Sequence, residues 1–370
     1  MRPTRAEISL QAIQKNLNSI RSKVGPNVKI MGIVKANAYG HGLVETSKAL
    51  VKYGIDYLGV GFLEEGLVLR QNGIACPILV LGGVLGDQVQ HFLANDLEIT
   101  VSSVELAERI EREVQHGHPK KAKVHLKIDT GMERIGVHSM NALAFAEKVA
   151  LLKHIEIVGI YSHFATADEK DKTFVYQQLE RFTKVHQQIK SAGIEIPFQH
   201  IANSGAILDI PETYFNMVRP GILLYGVYPS TETSQSVKVQ PALSLKSKIV
   251  YIKVVDADTS ISYGRRYFTK SKTRIATIPV GYGDGYPRKL LNKSSVLIKG
   301  KRYPVVGAIC MDQIMIDLGD SADIHFGDDA VLIGRDNGNE ISVNEIAEKT
   351  ETNVYEILCG VAARVPRIYS

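Results

Sequence analysis

Val34-Lys35-Ala36-Asn37-Ala38-Tyr39-Gly40-His41-Gly42 closes an apolar, β-branched run, Val28–Val34, whose length and composition suit a buried strand. One lysine sits at the end of that strand. Small residues, a tyrosine and two glycines follow it. A lysine so placed is solvated, paired or used. Burial lowers its pKa and frees the amine as a nucleophile, whereas a strand-end lysine can equally carry its ammonium out to water. Spacing alone leaves both readings open.

The same strand opens a rhythm that runs from about residue 28 to 225. Short apolar runs (Val28–Val34, Tyr57–Phe62, Pro77–Leu81, Leu97–Val101, Ala122–Ile128, Ile155–Tyr161, Phe198–Ile201 and Met217–Val218) alternate with amphipathic stretches. The helical patterns are Leu43–Tyr53, Glu64–Asn72, Val104–Gln115, Ala142–Leu152 and Thr173–Ala192. Strand–helix alternation predicts parallel strands. Eight units in this length predict an α/β fold with an N-terminal (β/α)8 TIM-type barrel. The last two runs carry the weakest periodicity.

The pattern changes near Ser236. Alternating, β-branched runs (Leu243–Val255, Thr273–Pro279, Ser295–Ile298, Tyr303–Val306, Met315–Asp317, Ala330–Ile333) are separated by turn residues such as Asp336-Asn337-Gly338. This predicts a C-terminal, mainly antiparallel β domain. The boundary falls in the Ser/Thr/Gln-rich stretch Pro229–Gln240. We expect a barrel over residues 8–235 and a β domain over 236–370, with residues 1–10 packing on the β domain.

Composition narrows the class. A chain of 370 residues, 45% hydrophobic and 22% charged, has the length for two globular domains. Its net charge of +5 is dispersed, so no nucleic-acid partner is expected. Cys76, Cys310 and Cys359 lie far apart, with neither metal-ligand spacing nor a disulfide framework, which suits a reducing cytoplasm and no metal. No apolar run of signal-peptide or membrane-span length occurs, so neither export nor a membrane is expected.

In a barrel of this kind the functional side chains stand at the C-terminal ends of the strands. Polar residues recur there: Lys35 and Tyr39 after the first run, and Asp129, Met132 and Arg134 after the fifth. His163 follows the sixth, Asn203 and Ser204 the seventh, and Arg219, Pro220 and Gly221 the eighth. Each alone could be a turn residue or a satisfied polar group. A phosphate site in such barrels commonly forms after strands seven and eight, where Ser204 offers a hydroxyl and Gly221-Ile222 backbone N–H groups.

The stretch 34–42 resembles, residue for residue, the pyridoxal-phosphate (PLP) lysine motif of the alanine racemases. The resemblance runs from about Ile8 to the C-terminus, with the motifs in the family's order. It implies that Lys35 forms a Schiff base with PLP. It further implies that Tyr39, Ser204, Gly221, Ile222 and Tyr355 hold the phosphate beside Asn203, that Arg219 meets the pyridine nitrogen, and that His163 supports Arg219. Arginine is a permanent donor, so it keeps that nitrogen unprotonated and limits carbanion delocalisation into the ring. Racemisation is most simply performed by bases on opposite faces. The resemblance gives Lys35 one face and Tyr263, in Ser262-Tyr263-Gly264, the other. A free tyrosine has a pKa of about 10, so the site must lower it; Arg219–His163 or Arg265 could help. Arg134, Met311, Asp312 and Tyr282 would contact the substrate. Lys127 matches a position that some relatives carry as a carbamylated lysine. Many relatives have Ala where this chain has Gly283.

In the family, Tyr263, Tyr282, Cys310, Met311 and Asp312 come from the partner subunit, which implies an obligate homodimer. The expected function is PLP-dependent interconversion of L- and D-alanine, supplying D-alanine for bacterial peptidoglycan. The rival readings are a basic amino-acid decarboxylase, opposed by Arg219 and Tyr263; a non-catalytic PLP-binding module, opposed by the long second domain; and a racemase acting on serine or several amino acids.

Overall fold

The computed structural model describes residues 2–85, 88–115 and 120–370. The chain separates into two compact units. One gathers Met1–Ala12, Tyr39–Gly42 and Pro241–Ser370; the other gathers Ile13–Ala38 and Leu43–Gln240.

Strand β1 (Arg5–Ile8) belongs to the first of these. The second unit holds β2 (Lys29–Ile33), β3 (Tyr57–Val60), β4 (Ile78–Val80), β5 (Glu98–Val101), β6 (Ala122–Asp129), β7 (Val137–His138), β8 (Ile155–Tyr161), β9 (Phe198–His200) and β10 (Met217–Val218). Eight of them form a parallel sheet in the order β10-β2-β3-β4-β5-β6-β8-β9, with the two-residue β7 beside β6. Helices Leu43–Lys52, Leu63–Gln71, Val104–Gln115, Ala142–Ala150 and Thr173–Ser191 fall between the strands, each within two residues of the sequence expectation. The sheet is nearly closed. Just past its two outer strands, the Arg219 N–H donates to the Ala202 carbonyl at 2.9 Å.

Strands covered on both faces read as continuous apolar runs, and β3 and β4 are buried along their whole length. The seventh and eighth strands are only three and two residues long. Their weak periodicity reflects that shortness, and the (β/α)8 architecture holds without them being long.

The first unit is a ten-stranded sheet. Its strands are β1, β11 (Leu243–Lys248), β12 (Tyr251–Val255), β13 (Thr273–Ile278), β14 (Ser295–Ile298), β15 (Lys301–Val306), β16 (Ile314–Asp317), β17 (Asp329–Asp336), β18 (Asn339–Ile341) and β19 (Arg367–Tyr369). The order is β12-β13-β16-β15-β14-β17-β11-β1-β19, with β18 on β17. All its pairings are antiparallel except β1–β19. Strand β11 alternates buried and half-buried residues, as expected of a sheet with one packed face. Asn337 and Gly338, both with positive φ (45° and 86°), make the tight β17–β18 turn that an Asn-Gly pair favours.

Candidate active site

Lys35 stands two residues past β2, half-buried, and the backbone beyond it is unusual. Ala36, Asn37, Ala38 and Tyr39 all have φ between 51° and 55°, a left-handed turn built from non-glycine residues. Such a conformation costs about 1–2 kcal/mol per residue, so the surroundings must hold it. They do so through hydrogen bonds. Glu65 accepts from Ala36 N and Gly61 N, both at 2.7 Å; Asn37 Oδ1 accepts from Leu43 N at 2.8 Å. The turn closes on Val34, whose carbonyl accepts from Ala38 N at 2.8 Å.

Three cations and the amine of Lys127 act on one imidazole. Burial, and then Arg219, Arg134, Lys127 and Lys35 in turn, push His163 well below the ordinary histidine pKa. His163 is therefore a neutral ring at physiological pH, in a strongly positive site. Its Nδ1 accepts from Arg219 Nη2 at 3.2 Å.

Arg219 is buried and densely held. Nη1 donates to His200 Nδ1 (2.9 Å) and to the His200 carbonyl (2.7 Å); Nη2 also donates to the carbonyls of Ser162 (2.7 Å) and Ile201 (3.2 Å). Burial lowers its pKa to about 10, so the guanidinium keeps its charge. Its Nε–H makes no hydrogen bond among the described residues.

Lys127 is buried on β6. Its Nζ donates to the Ile128 carbonyl at 3.1 Å and lies 5.1 Å from the centre of the Tyr161 ring. Burial, helped by Arg219 and Arg134 and opposed by Asp129, lowers its pKa to about 7. Asp129 organises the next loop: its carboxylate accepts from the N–H groups of Gly131, Met132 and Arg134 at 2.7, 3.0 and 3.3 Å. Arg134 is exposed, and its guanidinium makes no hydrogen bond among the described residues.

Ser204 begins the helix Ser204–Asp209, which Asn203 caps by accepting from Ala206 N at 3.1 Å. Ser204 Oγ accepts from Gly221 N (3.0 Å) and Leu223 N (3.4 Å), which leaves its own hydrogen to donate. The Ile222 N–H finds no acceptor among the described residues, although Ile222 is fully buried. An unsatisfied buried amide costs free energy unless a ligand takes it.

The other unit holds the remaining expected residues. The Tyr39 and Tyr355 rings are 5.9 Å apart. Gly40 makes that pairing possible: with φ of 82°, it leaves no room for a Cβ against the Leu358 carbonyl. Tyr355 lies in the helix Val354–Cys359, capped by Asn353. Tyr263 is 74% exposed and sits between Ser262 (φ 67°) and Gly264 (φ 71°). Arg265 is engaged elsewhere, over the Phe268 ring and on Ser260 Oγ. Tyr282 and Met311 are exposed. Asp312 accepts from Arg364 Nη2 at 2.7 Å, and the same arginine holds the buried Asp284 at 2.8 Å.

Sequence reasoning passed over Glu65 and the buried set Glu98, His125, His200 and Tyr161. For Glu98, His125 and His200 the visible signal is a charged or imidazole side chain inside an apolar run.

Fold and site together define a barrel-and-sheet protein whose barrel carries amines, guanidinium groups and an unclaimed backbone N–H at or just past its strand ends. The family model "Alanine racemase, N-terminal domain" matches residues 8–229, and "Alanine racemase, C-terminal domain" matches 242–369. "Alanine racemase 2" of Caldanaerobacter subterraneus subsp. tengcongensis is 46% identical, over 100% of this chain and 95% of its own length. The solved alanine racemase of Clostridium difficile has a TM-score of 0.96 at 42% identity, covering 100% of this chain and 96% of that one. A histidine racemase from Leuconostoc mesenteroides has a TM-score of 0.92 at 29% identity, covering 100% and 98%. The chain belongs to the alanine racemase family.

That family is PLP-dependent, and the residues present fit the cofactor. The fully buried Ile222 N–H and the Ser204 hydroxyl are donors without an acceptor, as a phosphate requires. The Nε–H of Arg219 is a free donor on an otherwise saturated guanidinium, as a neutral ring nitrogen requires.

Proposed function

We propose that this chain interconverts L- and D-alanine with PLP by a two-base reaction, and that it supplies D-alanine for bacterial peptidoglycan. The observation that carries this reading is the buried Arg219 guanidinium on the His163 ring, with Nη2 3.2 Å from Nδ1 and with Arg134 and Lys35 acting on the same ring. Such a cluster favours an anionic cofactor and an anionic carboxylate substrate.

When bound, PLP supplies the electron sink that loosens the α-proton of the amino acid. The rest is done by the chain. Lys35 would hold the cofactor through Nζ, and the same amine would move a proton on one face. Tyr263 moves a proton on the other face through its phenolic oxygen. The Nε–H of Arg219 would donate to the ring nitrogen, and a permanent cation there would deny that nitrogen a proton. That restricts charge delocalisation and suits return of the proton over transamination. His163 and His200 hold the guanidinium in place. Ser204, Gly221 and Ile222 bind phosphate, with Asn203 capping the helix behind Ser204 and the hydroxyls of Tyr39 and Tyr355 adding to the site. Arg134, Met311, Asp312 and Tyr282 receive the substrate. Lys127, an amine with a pKa of about 7 beside two guanidinium groups, is chemically suited to carbamylation, which would turn it into an anion that orients Arg134.

The exposure of Tyr263, Tyr282 and Met311 (74, 44 and 53%) supports a homodimer in which a second copy completes each site. Among the described residues no helix is long and apolar enough to cross a membrane, and we place the enzyme in the cytoplasm. The experiment is a titration of the protein with PLP. Wild type acquires visible absorbance up to one cofactor per chain and Lys35→Ala does not; an unchanged spectrum in the variant contradicts the assignment.

A further inference from the structure

Glu98 is a carboxylate on β5 at the heart of the barrel, 3% exposed. Acidic side chains are almost never so deeply buried unless paired. Here the partner is an imidazole, with His125 Nε2 at 2.8 Å from Oε2. His125 Nδ1 is 2.9 Å from His200 Nε2, and His200 Nδ1 is 2.9 Å from Arg219 Nη1. Four residues, from β5, β6, β9 and the turn after β10, thus make one hydrogen-bonded line across the core.

The direction of that line is fixed at one end. Arginine can only donate, so His200 Nδ1 must accept. A neutral His200 then carries its hydrogen on Nε2 and donates to His125 Nδ1. His125 in turn carries its hydrogen on Nε2 and donates to Glu98. The opposite order would set two N–H groups against each other at Arg219–His200. Glu98 must therefore accept at Oε2, and its Oε1 accepts from the Tyr57 hydroxyl at 3.5 Å. His200 is held far below the ordinary histidine pKa first by burial and then by the Arg219 charge, in keeping with a neutral ring.

The backbone is shaped for this line. The β6–β8 register shifts between Val124 and His125, and Gly159 on β8 faces the ring; a Cβ there would collide with His125 Nδ1, the atom that meets His200. Tyr161 stacks on His200 with centroids 4.9 Å apart and planes 1° apart. Its hydroxyl shares a hydrogen bond with Thr100 Oγ1 at 2.7 Å, and Thr100 Oγ1 is also 2.7 Å from the Val80 carbonyl. The charged or titratable groups facing the line are Arg219, Lys127, Tyr161, Arg70, whose guanidinium interacts electrostatically with Glu98, and Tyr57, whose hydroxyl is 3.5 Å from Glu98 Oε1.

We propose that Glu98 and His125 are positioning residues for Arg219. Through His200 they set a buried negative charge behind the guanidinium and fix both imidazole tautomers, so that Nε–H stays aimed at the cofactor ring. The inference rests on the proposed PLP role of Arg219, and the test separates the two.

The first arm is the solid-state ¹⁵N spectrum of microcrystalline holoenzyme labelled at histidine. The line requires neutral His125 and His200, both with hydrogen on Nε2. An imidazolium at either, or hydrogen on His200 Nδ1, overturns it. The second arm is Glu98→Gln, whose amide oxygen can still accept from His125 while the charge is lost. We expect bound PLP, a melting temperature close to wild type, a kcat for alanine lowered about tenfold, equivalent to about one pKa unit of electrostatic change, and a KM within about twofold. An unchanged kcat, or a loss confined to KM or melting temperature, overturns the positioning role. Wild-type holoenzyme that does not racemise alanine would instead sink the proposed function, and the ¹⁵N spectrum would still judge the line.

Discussion

The Oε1 atom of Glu65 accepts the backbone N–H of Ala36 at 2.7 Å, one residue beyond Lys35, while Oε2 of the same carboxylate accepts Gly61 N at 2.7 Å. Glu65 therefore clamps the exit of β2 to the exit of β3, where the left-handed turn begins. Loss of a partner for such groups costs about 1–3 kcal/mol. Glu65→Ala should lower the melting temperature by several degrees and reduce PLP occupancy at limiting cofactor. Ala36→Gly should do the reverse to stability, because glycine adopts φ of 54° without a Cβ penalty. Thermal melts with and without PLP read both; a Glu65→Ala melt equal to wild type contradicts the clamp.

Lys127 gives a pH prediction. Its folded pKa is about 7 against an ordinary 10.5. Between those values the unfolded chain holds a proton that the folded chain lacks, so stability rises with pH across that window. The penalty is full below about pH 7 and gone above 10.5. In CO2-free buffer, Lys127→Met should melt above wild type at pH 6, and the gap should close toward pH 10. A gap independent of pH contradicts the shift. With bicarbonate, wild type should gain affinity for alanine and Lys127→Met should not.

Tyr263→Phe removes one proposed base and leaves the barrel untouched. PLP binding should persist. General-base contributions are typically ~10²–10⁴-fold, and racemisation should fall by that order. Exchange of the α-hydrogen of L-alanine with D2O should fall far more than exchange of D-alanine. Equal losses for the two enantiomers would deny Tyr263 a face of its own.

The strand–helix rhythm and the later change to alternating strands are local patterns, so the barrel and the antiparallel sheet are both legible in the sequence. The left-handed turn was not: Ala36 and Ala38 carry no preference for positive φ, and only tertiary hydrogen bonds hold them there. The Glu98–His125–His200–Arg219 line was hidden for a different reason. Each member sits alone in a separate apolar run, and only closure of the sheet aligns them. Gly159 reads as an ordinary strand glycine until the His125 ring is seen against it. Lys35, Lys127, Arg134, His163 and Arg219 could each be named from the sequence, yet their mutual field could not. That field depends on burial and on distances between strand ends.

At Gly283 the space for a side chain is taken. A Cβ would lie 2.5 Å from Arg364 Nη2, the group that holds Asp312. The collision is with the flexible end of a side chain, so Gly283→Ala should fold and keep kcat within about twofold. Displacement of Arg364 should free Asp312 and raise the KM for alanine, since a charge-assisted hydrogen bond of this kind is worth roughly 1.5–3 kcal/mol. Unchanged KM would show that Asp312 needs no such support.

The measurement that tests the central claim most directly is chiral chromatography of purified protein with PLP and L-alanine, with L-serine and L-histidine in parallel. The account predicts conversion of L-alanine to an equal mixture of enantiomers, with the other two slower. Bound PLP with no D-alanine formed would contradict it.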